Sequence, residues 1–361
     1  MTGDFNKLRD QFNSQYVDAG KPTIGLAGFY GYGNYGDELF LDVWHKYLSK
    51  YFNLKILHDL ELKPYFSDEF NAETLKEVSG IVIGGGDILQ PWNIDPRYWN
   101  KDYLSKPVWV AGVGVPLRAN AAQQEKSWIL NKMLAFLEHQ NVKSIHLRDQ
   151  VSFNWLKERM NRTEKISWSP DIVATLKPEF FNKEDKQLEK KQLGIIVRSR
   201  KGHEETDNFE YIERFIDRSY LSDWQINIIV LGNGRTMSAD YLSALRLNPK
   251  ADCRIILSKS IHELTSILMQ QDSLLSMKFH GTVAAMMAGI PSIVGVPTLK
   301  NREFLKHIDM QNLCIGFQSP ALDNVDISTI QGPKESDILN VFEKADSAMK
   351  NLLSSILAEL L

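Results

Sequence analysis

The sequence predicts two consecutive α/β domains, each built on a parallel β-sheet covered by helices on both faces. Three observations point there. Short apolar runs alternate with amphipathic stretches along most of the 361 residues, as when buried strands are joined by crossover helices. Several of these runs end in glycine clusters, where open parallel sheets receive their ligands. The alternation breaks once, in the charge-rich, weakly periodic segment 177–191, and restarts after it. A chain of this length is long for one core and comfortable for two.

In the first half, residues 23–29 read as a strand, 30–37 as a loop and 38–52 as a helix. Residues 80–83 form a short buried strand ending in Gly84-Gly85-Gly86, and 107–113 a second one ending in Gly114-Val115-Pro116. Residues 121–140 have helical periodicity, 144–147 are a strand and 150–160 a helix. After the linker, 193–197, 226–231, 254–257, 274–277 and 292–296 read as five strands with helices between them. The last stretch, 335–361, is one long helix. Its apolar residues Ile338, Phe342, Ala345, Met349, Leu352, Ile356 and Leu360 step by three and four. The expected division is 1–185, 186–330 and an amphipathic helix over 331–361 packed across the two domains.

Composition narrows the function. A formal net charge of −3 offers no bulk attraction to nucleic acid or to an anionic membrane. Any phosphate or carboxylate must be held by a local basic cluster. The two cysteines, Cys253 and Cys314, make neither a disulfide framework nor a CxxC metal site. Residues 1–17 are polar and no stretch reaches the ~20 apolar residues of a membrane span. The expectation is a cytoplasmic protein, with attachment at the inner face of the membrane left open.

Chemistry concentrates at the strand ends. The loop Gly31-Tyr32-Gly33-Asn34-Tyr35-Gly36-Asp37-Glu38 is neither a dinucleotide fingerprint nor a Walker loop. Asp37 and Glu38 would repel a phosphate, and suit hydrogen-bonding or deprotonating a sugar hydroxyl. The bland alternative is a glycine turn with Asp37 as a helix cap. In the second half, Arg198 and Lys201 follow one strand, Lys278 and His280 another, and Lys300 a third. Cations at strand ends beside a helix start make an anion pocket. Arg148, in Leu147-Arg148-Asp149, reads equally well as a reach into the site or as an ion pair with a neighbouring carboxylate.

Taken in order, these motifs are G-N-x-G-D-E, G-G-G, A-G-V-G-x-P, R-D-x-x-S, S-P-D, an Arg after the first strand of the second half, and F-H-G-x-x-A-x-x-x-x-G-x-P. The series resembles the polysaccharide pyruvyltransferase family from about Gly31 to Lys300. The resemblance implies a GT-B-like fold, two Rossmann-like domains facing across a cleft. It implies phosphoenolpyruvate as donor and hydroxyls of a sugar or glycan as acceptor, with lipid linkage of the acceptor left open. The family's histidine matches His280 and its following lysine Lys300, the catalytic pair. Arg148, Arg198 and Lys278 would bind the donor, and Asn34, Asp37 and Glu38 the acceptor. Lys278 stands where the family usually has Arg, and Lys lacks the planar two-pronged grip on a carboxylate.

The implied chemistry is protonation of the enol carbon by a general acid, attack by a sugar hydroxyl and loss of phosphate. It requires no metal and no cofactor beyond the donor. A homo-oligomer is left open. The competing reading is a GT-B sugar-nucleotide glycosyltransferase of cell-surface polysaccharide synthesis, which would want a carboxylate for the ribose. The next acidic residue after His280 is Glu303. A third reading is a non-catalytic polysaccharide-binding scaffold, against which the grouping of His280 with several cations argues.

Overall fold

The computed structural model describes residues 11–15, 17–57, 73–117, 125–183, 189–200, 202 and 207–361. They form two compact units. Unit one takes in the described residues of Met1–Tyr32, Asp37–Ile172 and Lys344–Leu361; unit two those of Gly33–Gly36 and Val173–Glu343. The break at 172/173 precedes the linker expected at 177–191. The expected helix over residues 121–140 begins partly outside the described residues, as does Lys201.

Unit one holds a six-stranded sheet in the order β2-β1-β3-β4-β5-β6, with every neighbouring pair parallel. The strands are β1 (Thr23–Ala27), β2 (Asn53–Ile56), β3 (Gly80–Gly86), β4 (Val108–Val113), β5 (Val142–Leu147) and β6 (Ile166–Trp168). Helices α1 (Tyr35–Leu48), α2 (Ser127–Glu138) and α3 (Gln150–Lys157) connect them. Central β3 and β4 are buried at every residue, which is why they read as unbroken apolar runs rather than alternating ones. β3 runs on through its three glycines, because Gly84 and Gly86 still pair with Ala111 and Val113 of β4. The sequence reading passed over β2 and β6, both short edge strands.

His146 of β5 is buried in this sheet. Its Nδ1 accepts from the Gly112 amide at 3.3 Å, and Nε2 lies 2.9 Å from the Ser169 hydroxyl. That hydroxyl donates to the Pro170 carbonyl at 2.7 Å, so the ring proton sits on Nε2 and the imidazole is neutral. Burial lowers its pKa from the ordinary 6.5 to about 4, against an opposing pull from Asp171. The unfolded chain therefore binds the extra proton between those values. Stability from this site is complete above pH 6.5 and is lost as pH falls toward 4, a change of about 3 kcal/mol. Urea denaturation at pH 7 and pH 4.5 should show that loss, and His146→Gln should flatten it; an unchanged pH dependence would refute the assignment.

Unit two holds a five-stranded sheet in the order β11-β10-β7-β8-β9, again with every neighbouring pair parallel. Its strands are β7 (Lys191–Ile196), β8 (Trp224–Ile229), β9 (Cys253–Ile256), β10 (Ser273–Ser276) and β11 (Ser292–Val294). Helices α4 (Glu210–Ile216), α5 (Gly234–Leu245), α6 (Ile261–Met269), α7 (Phe279–Met287) and α8 (Leu299–His307) accompany them. All five expected strands are present, each within two residues of its expected start. The parallel arrangement puts the turns after β7, β8, β10 and β11 on one sheet edge, and Arg198, Lys278, His280 and Lys300 follow three of them.

The last helix, α9 (Glu335–Leu360), buries Ile338, Val341, Ala345, Met349, Leu352 and Ile356. Val341 takes the buried place expected of Phe342, which is half-buried. The part from Lys344 onward belongs to unit one. There Asp346 accepts from the Tyr47 hydroxyl at 2.5 Å and Ser355 from the Trp109 indole at 2.9 Å. Among the described residues no helix is long and apolar enough to cross a membrane.

A cationic pocket as the candidate active site

Unit two contains a cavity of about 330 Å³ lined by Asn34, Arg198, Asp240, Lys278, His280 and Lys300, among others. All but Asn34, which precedes α1, come from a strand end or the first turns of a helix. Arg198 and Ser199 follow β7. Asp240 lies on α5, after β8. Lys278 caps α7 after β10, and His280 is the second residue of that helix. Lys300 opens α8 after β11. The turn from β10 into α7 is braced by Ser276, whose hydroxyl donates to the Lys278 carbonyl at 2.7 Å and accepts from its amide at 3.2 Å.

Asp240 organises the cations, and the sequence reading did not single it out. Its carboxylate pairs with the Lys278 ammonium at 2.5 Å and accepts from the Ser199 amide at 2.8 Å. Lys278 also donates to the Leu231 carbonyl at 2.6 Å. Burial pushes the Arg198 pKa down, and the Asp240 charge works against that. Lys300 lies over the Phe279 ring at 5.2 Å, and Phe279 packs edge-on against the His280 ring at 4.9 Å. Three basic side chains, Arg198, Lys278 and Lys300, line the cavity with one carboxylate, Asp240, a local surplus of positive charge. In a chain of net charge −3, such a local surplus is suited to holding an anion.

The other expected site residues belong to unit one. Arg148 follows β5 and is almost wholly buried, at 2% exposure. It pairs with Asp87, the residue after the three glycines, and its Nη1 lies 4.0 Å from Asp171 of the S-P-D motif. Burial lowers the Arg148 pKa, with Asp171 opposing. The R-D and S-P-D motifs are thus parts of one buried charge cluster. Asp149 caps α3, accepting from the Ser152 amide at 2.6 Å and its hydroxyl at 2.9 Å. Glu38 accepts from the Gly31 amide at 2.7 Å, closing the loop on itself. Asp37 is buried in the first turn of α1. Asn34, expected with the acceptor residues of the first domain, is grouped with unit two and lines the cationic pocket.

Solved structures define the class. The chain resembles UDP-N-acetylglucosamine 2-epimerase from Rickettsia bellii (TM-score 0.56, 10% identity, covering 94% of this chain and 96% of that one). It resembles MnaA from S. aureus in its UDP co-structure (TM-score 0.60, 8% identity, 94% and 97%). It also resembles the wall teichoic acid polymerase TagF (TM-score 0.52, 12% identity, 99% and 93%). At such identities the likeness concerns the fold, which is GT-B-like, with two Rossmann-like parallel-sheet domains. Residues 34–296 match the family model described as polysaccharide pyruvyl transferase, and the chain belongs to that family. No curated protein matches the sequence.

Proposed function

We propose that this protein transfers the pyruvyl group of phosphoenolpyruvate onto two hydroxyls of a sugar in a polysaccharide or its precursor, forming a cyclic ketal. The observation that carries the reading is the unit-two pocket, where a histidine sits among a surplus of cations. Phosphoenolpyruvate brings a phosphate and a carboxylate, and Arg198, Lys278 and Lys300 are the groups to hold them. His280 gives its proton to C3 of the enol, which becomes the methyl group. The cation left at C2 takes a sugar hydroxyl, phosphate departs, and a second hydroxyl closes the ring. The acceptor protons pass to a base, with Asp37 and Glu38 the candidates, and the imidazole is reprotonated for the next turnover. The scheme draws on no metal or cofactor.

Sugar-nucleotide transfer is the competing reading, suggested by the likeness in fold to the wall teichoic acid polymerase TagF. It wants a carboxylate after the His280 helix to hold a ribose. The first one there, Glu303, is buried on α8 and pairs with Lys306. Purified protein incubated with phosphoenolpyruvate and acceptor glycans should release inorganic phosphate and give products heavier by pyruvate less water. Nucleoside diphosphate release from a sugar nucleotide, with phosphoenolpyruvate inert, would replace this reading with the other.

A further inference from the structure

The glycine loop before α1 reads from the sequence as a surface for substrate. In the structure its middle, Gly33–Gly36, is fastened to unit two. The Gly33 carbonyl accepts from the Asn233 amide at 2.8 Å and the Thr236 hydroxyl at 2.6 Å. Asn34 forms an antiparallel bridge with Gly232. The Tyr35 hydroxyl lies 2.8 Å from that of Thr265 on α6. Gly33 has φ +76° and presses on Asn233 so closely that a β-carbon would fall 1.9 Å from the Asn233 carbonyl oxygen.

The closest approach is at Gly36. A β-carbon there would lie 1.6 Å from His280 Nδ1, 2.3 Å from its Cγ and 2.5 Å from its Cε1. The imidazole therefore occupies the space a side chain would need, with Phe279 packed edge-on against it. Gly36 is in the first turn of α1 and is not among the positive-φ residues. Glycine is thus not required there by the backbone, and alanine would suit the helix better. What requires glycine is the ring.

We propose that Gly36 is a positioning residue for His280, and that the strap Gly33–Gly36 seats the imidazole in its working orientation. The inference rests on His280 being the general acid of the proposed reaction. Any side chain at position 36 must displace the ring, and a misplacement of about 1 Å can cost ~10²-fold in rate.

The test is Gly36→Ala, His280→Gln and the double variant, with turnover measured on phosphoenolpyruvate and acceptor. Gly36→Ala should lose about 10²-fold in turnover, with donor half-saturation changed only a few-fold. If Gly36 acts through His280, the double variant is no slower than His280→Gln alone. Additive losses overturn the proposal. A second readout needs no activity. The ¹⁵N resonances of the His280 ring, assigned by their absence in His280→Gln, should move in Gly36→Ala while those of the other seven of the eight histidines stay. Unmoved His280 resonances overturn the positioning role. A wild-type protein inert toward phosphoenolpyruvate would sink only the pyruvyl-transfer reading. Should Gly36→Ala fail to fold, Tyr35→Phe frees the strap at Thr265 without adding an atom and must shift the same resonances; if it does not, the proposal fails.

Discussion

Replacing His280 by glutamine is expected to lower turnover by about 10²–10⁴-fold, the usual worth of general acid–base catalysis, while donor affinity changes far less. Glutamine preserves much of the shape of the side chain and can still donate a hydrogen bond, but it has no proton to transfer near neutral pH. Imidazole is the ordinary side chain suited to that task. His280 follows the β10–α7 turn and lines the same cavity as Arg198, Lys278 and Lys300. Those cations remain in the variant, so the groups proposed to hold the donor are untouched. Steady-state kinetics at saturating acceptor separate the two effects. Turnover unchanged at saturation, with donor affinity lost instead, would make His280 a binding group. The acid would then be sought in Lys300, or in Asp37 or Glu38 held protonated.

Much of this molecule is legible in its sequence, and the reasons are local. Buried parallel strands read as apolar runs, and β7, β8, β10 and β11 lie where those runs are. The edge strands β2 and β6 escaped because a short strand at a sheet margin, such as one carrying Lys55, has no continuous apolar signature. The pocket was partly legible. Cations placed after successive parallel strands must share one sheet edge, and Arg198, Lys278 and Lys300 do. Asp240 was not legible, because it sits on a helix face and its partners come from β7 and β10, a juxtaposition only the sheet order creates. The glycines misled in a particular way. Read as bare backbone for a ligand, two of them make room for side chains. Gly36 admits His280, and a β-carbon on Gly114 would fall 2.6 Å from Arg148 Nε. Sequence can say that something approaches such a glycine but not what. Arg148 shows the same limit, since the carboxylates that hold it, Asp87 and Asp171, come from two other motifs.

Lys278 is where the ion pair itself can be tested. Lys278→Met removes the cation and leaves Asp240 buried, with 6% side-chain exposure. Removing one partner of a buried pair costs about 3–5 kcal/mol. The low end is expected, because the Ser199 amide still donates to the carboxylate and Arg198 still acts on it. Adding Asp240→Asn to Lys278→Met should recover most of that loss, since the stranded charge is then gone. Lys278→Arg keeps the charge and offers Asp240 a planar, two-pronged partner. The ammonium of Lys278 sits 3.3 Å from where a β-carbon of Gly232 would be, so the bare backbone there leaves room for a larger head group. Stability within about 1 kcal/mol of wild type and donor affinity equal or tighter are expected. Urea denaturation and donor titration of the four proteins check this. A large activity loss in Lys278→Arg would mean that the pocket is shaped for lysine and that the arginine usual in the family is no guide here. Lys278→Met as stable as wild type would mean that Asp240 does not depend on Lys278, and that the pair does not organise the pocket.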